Sequence, residues 1–176
     1  MKIAVPSLSS GKHEFRCSVP PTDYGRAAAL SGLDFRGRVD VEAVVDKMGD
    51  EVFVRANVRA AVRAGCARCL IECDVPLAAH FEALYVPESQ RDDLGSRTAR
   101  AEEESQRIFY YSSGVADLGE QIIEAISLAV PMKPLCRDGC KGLCPRCGAN
   151  LNNAPCSCAD DDDFGKPFKG LFGDSG

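Results

Sequence analysis

The run Val39-Asp-Val-Glu-Ala-Val-Val-Asp-Lys-Met-Gly-Asp-Glu-Val-Phe-Val-Arg-Ala-Asn-Val-Arg-Ala-Ala-Val-Arg63 alternates apolar and polar residues around one break, Lys47-Met48-Gly49-Asp50. Before the break, Val39, Val41, Ala43 and Val45 alternate with Arg38, Asp40, Glu42 and Asp46. After it, Val52, Val54, Ala56, Val58, Ala60 and Val62 alternate with Phe53, Arg55, Asn57, Arg59 and Arg63. A period of two over this length means half-buried strands, so residues 38–64 read as a β-hairpin. Pairing Asp46 with Glu51 sets Val45 against Val52 inside and Glu42 against Arg55 outside. A slip of one residue would bury charges.

Outward from the hairpin, Cys73, Val75, Leu77, Ala79, Phe81, Ala83 and Tyr85 share one face of a third strand, with Glu72, Asp74, His80 and Glu82 on the other. Gly65–Ile71 is then a strand-to-strand turn with Cys66 and Cys69 at its tip. Short strands are expected near Lys2–Val5 and Glu14–Val19, and a short helix around Asp23–Ala29. Pro87–Arg107 is charge-dense and poor in large apolar residues, so it cannot bury enough to offset its ordering and reads as a mobile loop. Ile108–Tyr111 can return to the sheet. Asp117-Leu-Gly-Glu120 is a capping-box pattern, and Leu118, Ile122, Ile123, Ile126 and Val130 form the stripe of the helix it opens. Pro131 and Pro134 end that helix.

The expected fold is α+β: an antiparallel, barrel-like sheet with one packed helix and a C-terminal cysteine-rich zinc module. Residues 1–130 form the core domain with a mobile loop at 87–107, residues 131–159 the zinc-binding module, and residues 160–176 an acidic, aromatic tail. That tail carries Asp160–Asp163 and then Phe164, Phe168 and Phe172.

Six of the ten cysteines lie between Cys136 and Cys158, and Cys66-Ala-Arg-Cys69 stands upstream. A two-residue spacer lets one turn present two sulfurs to one ion, and zinc takes four thiolates in a closed tetrahedron. The candidate ligands are Cys66, Cys69, Cys136, Cys140, Cys144, Cys147, Cys156 and Cys158. They divide in more than one way. Cys144, Cys147, Cys156 and Cys158 can close a local site while Cys66 and Cys69 join Cys136 and Cys140. Alternatively, one zinc is held by Cys66, Cys69, Cys144 and Cys147. The expected cofactor is therefore one or two structural zinc ions. A catalytic zinc keeps an open position, usually with His or carboxylate ligands, and His13 and His80 sit outside the cluster. Cys17 and Cys73 lack partners at ligand spacing, and Cys73 falls on the apolar face.

The first ten residues lack the apolar run of a signal peptide, and no apolar stretch approaches the roughly 18 residues that span a bilayer. A cytoplasmic location without membrane contact is expected, where clustered thiols bind metal more often than they form disulfides. The formal net charge is -5, and each four-thiolate zinc would add about two negative charges. Such a global field is poor for polyanions, so RNA contact needs a local basic patch. Arg68, Lys141 and Arg146 beside the cysteines are the candidates, with Lys133 and Arg137 nearby. Arg55, Arg59 and Arg63 line one strand face, which reads as a solvated face paired with Glu42 and Asp40.

The Cys66-x-Arg68-Cys69-Leu70 turn, the helix ending Leu128-Ala-Val-Pro131, and Cys140-Lys-Gly-Leu-Cys-Pro-Arg-Cys-Gly-Ala-Asn-Leu-Asn152 together resemble the YceD family of large ribosomal RNA subunit accumulation proteins. The likeness spans Phe35 to Cys158; after it, Asp163-Phe-Gly-Lys-Pro-Phe168 replaces the family's Asp-Pro-Arg. The resemblance implies a non-enzymatic factor supporting large-subunit ribosomal RNA accumulation or processing. Its implied partners are that RNA or a pre-ribosomal particle, and a ribosomal protein. The rival reading is a zinc-stapled adaptor that grips a basic ribosomal protein.

Overall fold

The computed structural model describes residues 1–91 and 107–158. Most of the expected mobile loop, and the acidic, aromatic tail, lie outside the described residues. The strands are β1 (Lys2–Ala4), β2 (Gly11–Val19), β3 (Asp34–Phe35), β4 (Val39–Met48), β5 (Glu51–Gly65), β6 (Glu72–Pro87), β7 (Ile108–Tyr111) and β8 (Val115–Asp117). The helices are α1 (Gly25–Ser31) and α2 (Gly119–Ala129). One sheet runs β2-β4-β5-β6-β7, with β3 also beside β5, and β1 pairs with β8.

Alternation decides the main faces as expected. Val39, Val41 and Val45 of β4, Val52, Val54, Val58 and Val62 of β5, and Val75, Leu77 and Tyr85 of β6 enter one core, each buried. Burying a valine or leucine side chain contributes about 1.5–3 kcal/mol, so this face holds the sheet in place. Leu118, Ile122, Ile123 and Ile126 of α2 join the same core, and Val130 packs against it.

Four expectations need correction. The hairpin pairs Met48 with Glu51, so Val45 faces Val54 rather than Val52, and Glu42 faces Asn57 rather than Arg55. Only Gly49 and Asp50 form the loop, and Gly49 takes φ 63°. A two-residue hairpin loop with Gly first matches the strand twist better than a four-residue loop, and the shift by two leaves every side chain on its face. Second, the sheet is not a closed barrel. β2 and β7 stay at opposite edges, and α2 fills the core face that a barrel would close over. Third, the sheet is not wholly antiparallel, because β7 runs parallel to β6. Fourth, two helices pack on the core rather than one. α1 follows a short 3-10 turn at Pro21–Tyr24 and rests Ala27 and Ala28 against the core.

The start of α2 also differs. Its cap is Leu118, and Asp117, one residue earlier, accepts a hydrogen bond from the Gly119 amide at 2.9 Å. Among the described residues no helix is long and apolar enough to cross a membrane.

Candidate metal centres

Two turns of the same construction build the sites. In Cys66-Ala-Arg-Cys69-Leu70 the Leu70 amide donates to the Cys66 carbonyl at 2.9 Å, and the Cys66 amide to Ile71 at 2.8 Å. In Cys144-Pro-Arg-Cys147-Gly148 the Gly148 amide donates to the Cys144 carbonyl at 2.9 Å, and the Cys144 amide to Ala149 at 2.8 Å. The residue after the second cysteine has positive φ in both, 62° at Leu70 and 71° at Gly148. That conformation curls the backbone toward the sulfurs and is free of steric cost only for glycine.

The structure gathers the eight sulfurs into two groups, Cys66 with Cys69, Cys136 and Cys140, and Cys144 with Cys147, Cys156 and Cys158, the sulfurs of each group within 4.8 Å of one another. Cys66 Sγ lies 3.8 Å from Cys140 Sγ, and Cys69 Sγ 3.7 Å from Cys136 Sγ. A disulfide would need about 2.05 Å. A tetrahedron with metal–sulfur bonds of about 2.3 Å has edges of about 3.8 Å, which these two separations match.

Hydrogen bonds to sulfur tune these thiols. The Cys136 amide, ahead of that of Cys69, brings Cys66 down to about 6 from 9.0. The amides of Cys147 and Arg146 bring Cys144 down to about 6. Burial would raise Cys140, but the Asn152 carboxamide and the Gly142 amide outweigh it and lower the thiol. Cys136 is pushed up to about 12 by burial and by its hydrogen bond with Cys140. Cys158 is pushed up to about 12 by its hydrogen bond with Cys147 and by burial. Four thiolates cannot share so small a volume without a compensating cation. A divalent cation would meet all four as thiolates.

The first group joins chain segments that are distant in sequence. The Ala67 amide donates to the Pro134 carbonyl at 2.7 Å, and the Leu143 amide to the Arg68 carbonyl at 3.1 Å. Gly142 has φ 76°, and a Cβ there would stand 3.1 Å from the Arg68 carbonyl oxygen, so only glycine allows this approach. Arg68 Nη1 donates to the Cys140 carbonyl at 2.9 Å, so this candidate RNA contact also fastens the two segments. Lys141 and Arg146 are exposed beside the first and second groups. Arg137 donates to Asn152 Oδ1 at 2.9 Å.

Asn152 is a residue that spacing rules pass over. Its carboxamide donates to Cys140 Sγ at 3.4 Å and its Oδ1 accepts from the Lys141 amide at 2.9 Å, although it lies in the loop between Cys147 and Cys156. The second loop thereby orients a sulfur of the first group. The signal was its place in Gly148-Ala-Asn-Leu-Asn152, which marked the segment without assigning a role. Cys17 and Cys73 join neither group. Cys73 Sγ donates to the Ala64 carbonyl at 3.4 Å beside the core. Arg59 pairs with Glu42 at 4.0 Å and Arg63 with Asp74 at 3.5 Å, while Arg55 lies over the Phe53 ring.

No solved structure matches the chain. A protein of Mycobacterium tuberculosis named as uncharacterized is 31% identical over 127 residues, covering 72% of this chain and 58% of that relative. The large ribosomal RNA subunit accumulation protein YCED homolog 1, chloroplastic, of Zea mays is 30% identical over 196 residues, covering 97% of this chain and 66% of the relative. Its Arabidopsis thaliana counterpart is 25% identical over 146 residues, covering 71% and 46%. The family model described as large ribosomal RNA subunit accumulation protein YceD matches residues 54–172, a span that contains both cysteine groups, and this chain belongs to that family.

Proposed function

We propose that the protein is a non-enzymatic ribosome-biogenesis factor that supports accumulation or processing of large-subunit ribosomal RNA, acting in the cytoplasm. The family match over 54–172 carries this reading. Two structural zinc ions complete the fold, one held by Cys66, Cys69, Cys136 and Cys140 and the other by Cys144, Cys147, Cys156 and Cys158. Thiolate sulfur suits zinc, and four protein ligands leave no position for water or substrate, which supports a structural rather than a catalytic ion. Native mass spectrometry of the purified protein should find two zinc ions per chain; one ion would reject the two-site assignment.

Arg68, Lys141 and Arg146 are the proposed RNA contacts, set on a rigid, metal-held surface next to large-subunit RNA or a pre-ribosomal particle. The net charge of -5 favours a second reading, in which the chain grips a basic ribosomal protein instead. Crosslinking in cells followed by denaturing purification separates the two. Discrete crosslinks to large-subunit RNA support direct contact, and protein crosslinks without RNA support the adaptor. Depletion that leaves precursor and mature large-subunit RNA unchanged would reject both.

A further inference from the structure

The sheet ends on one side at β2, whose single strand neighbour among the described residues is β4. Their pairing runs unbroken from Gly11 opposite Lys47 to Val19 opposite Val39, so no bulge bends this edge. No proline falls within it either. Bulges, prolines and exposed charges are the features that keep an edge strand from pairing with another chain, and β2 has only the charges.

Which backbone groups face off the edge follows from the registers. The Arg36 amide donates to the Ala61 carbonyl at 2.7 Å, from the side of β5 that β6 does not cover. Backbone groups of successive residues turn to alternate neighbours, so the odd residues of β5 turn to β4. Through Arg59 opposite Asp40 and Ala43 opposite Phe15, the odd residues of β2 also turn to β4. Lys12, Glu14, Arg16 and Ser18 therefore point their backbone groups outward, in keeping with the Arg38 guanidinium that donates to the Ser18 carbonyl. Their side chains are exposed on the solvent face.

This parity restricts how a second copy of the strand can add antiparallel, because an even residue must meet an even one. A two-fold axis at Phe15 sets Glu14 against Arg16 of the second copy, twice, and pairs the whole strand. An axis at Glu14 sets Glu14 against Glu14 and Lys12 against Arg16. An axis at Arg16 sets that residue against itself. An axis at His13 keeps Lys12 against Glu14 but pairs only Gly11–Phe15, and one at Cys17 pairs no opposite charges. Like charges directly opposite destabilise a sheet and opposite ones stabilise it. Among the described residues neither Glu14 nor Arg16 holds an ion pair, so both charges are free for a partner. Phe15, half-buried against the core, would meet its own copy at a non-hydrogen-bonded position, where side chains come closest.

We propose that two copies of this chain pair β2 to β2 about a two-fold axis at Phe15, joining their sheets into one. A symmetric interface must be complementary to itself, and Glu14 and Arg16 flanking Phe15 make this edge so.

Sedimentation equilibrium of the full, metal-loaded chain should find a species of twice 18.9 kDa that dissociates on dilution. Glu14→Arg and Arg16→Glu each place two like-charge pairs across the axis and should weaken association by about tenfold or more. Both positions are exposed, so the melting temperature of each diluted variant should match that of the diluted parent. Mixed in equal amounts, the two variants should associate again, since each supplies the charge the other lacks. The double exchange Glu14→Arg with Arg16→Glu should restore the homodimer. In amide exchange, Lys12, Glu14 and Arg16 should gain protection as concentration rises, while Phe15 and Cys17 stay protected throughout. A chain that is monomeric at every concentration would overturn the proposal. So would a dimer that the single variants leave intact, or a mixture of them that fails to associate.

Discussion

The two cysteine groups share one turn geometry and differ in what they connect. Cys66 and Cys69 sit at the tip between β5 and β6, and their group is completed from beyond α2 by Cys136 and Cys140. The second group lies wholly within Cys144–Cys158. Burial follows the same division: Cys66, Cys69 and Cys140 are buried in the first group, whereas Cys144 alone is buried in the second and Cys147 is exposed. An ion in the first group would close a long loop and join the segment from Cys136 to Cys140 to the β5–β6 turn. An ion in the second would close a short one. Constraining a longer loop removes more entropy from the unfolded chain, so identical coordination stabilises the fold unequally.

Removing a ligand from each group tests that inequality most strongly. Cys69→Ser is expected to cost on the order of 5 kcal/mol, a third to a half of what a structural four-thiolate zinc contributes, and to release one ion. Hydrogen exchange should then rise at 66–70 and 134–143 together. Cys147→Ser should also release one ion but confine the added exchange to 144–158, with a much smaller fall in melting temperature. Equal losses from the two variants would break the comparison.

A subtler probe leaves the sulfurs in place. Gly142→Ala puts a methyl 3.1 Å from the Arg68 carbonyl at φ 76° and should cost about 2 kcal/mol. Both ions should remain bound by mass spectrometry while exchange at 66–70 rises. Loss of an ion would show that coordination, not backbone contact, responds first.

The smallest effects come from the matched positions after each turn. Gly148→Ala meets no atom within 4 Å, so its cost is conformational alone, about 1 kcal/mol by chemical denaturation. Leu70→Gly should do the opposite, gaining up to about 1 kcal/mol, because Leu70 holds φ 62° while 71% exposed. A loss in Leu70→Gly would mean that the leucine side chain stabilises the turn in a way its exposure does not suggest.

Legibility from sequence divides along the range of the interactions. Alternation from Val39 to Val62 and the stripe from Leu118 to Ile126 named the buried faces correctly, since each strand or helix buries the side its own period selects. Pairing was less legible. Glu42 opposite Arg55 is an attractive ion pair on paper, yet the preference of a two-residue turn at Gly49-Asp50 moved Glu42 to Asn57. The parallel placement of β7 and the open edges of the sheet depend on where the segment after β6 returns, which no local pattern encodes.

The cysteine spacing by itself determined that pairs of sulfurs would be offered together in a form able to hold a metal ion, because a two-residue spacer makes one turn offer two sulfurs whatever the rest of the chain does. The sequence also determined the side chains of the sheet core, because strand periodicity is local. Only the tertiary structure decided which pairs of sulfurs meet. It also brought Asn152 to Cys140. Those outcomes depend on chain segments many residues apart arriving at the same place, and that is decided when the whole core packs at once.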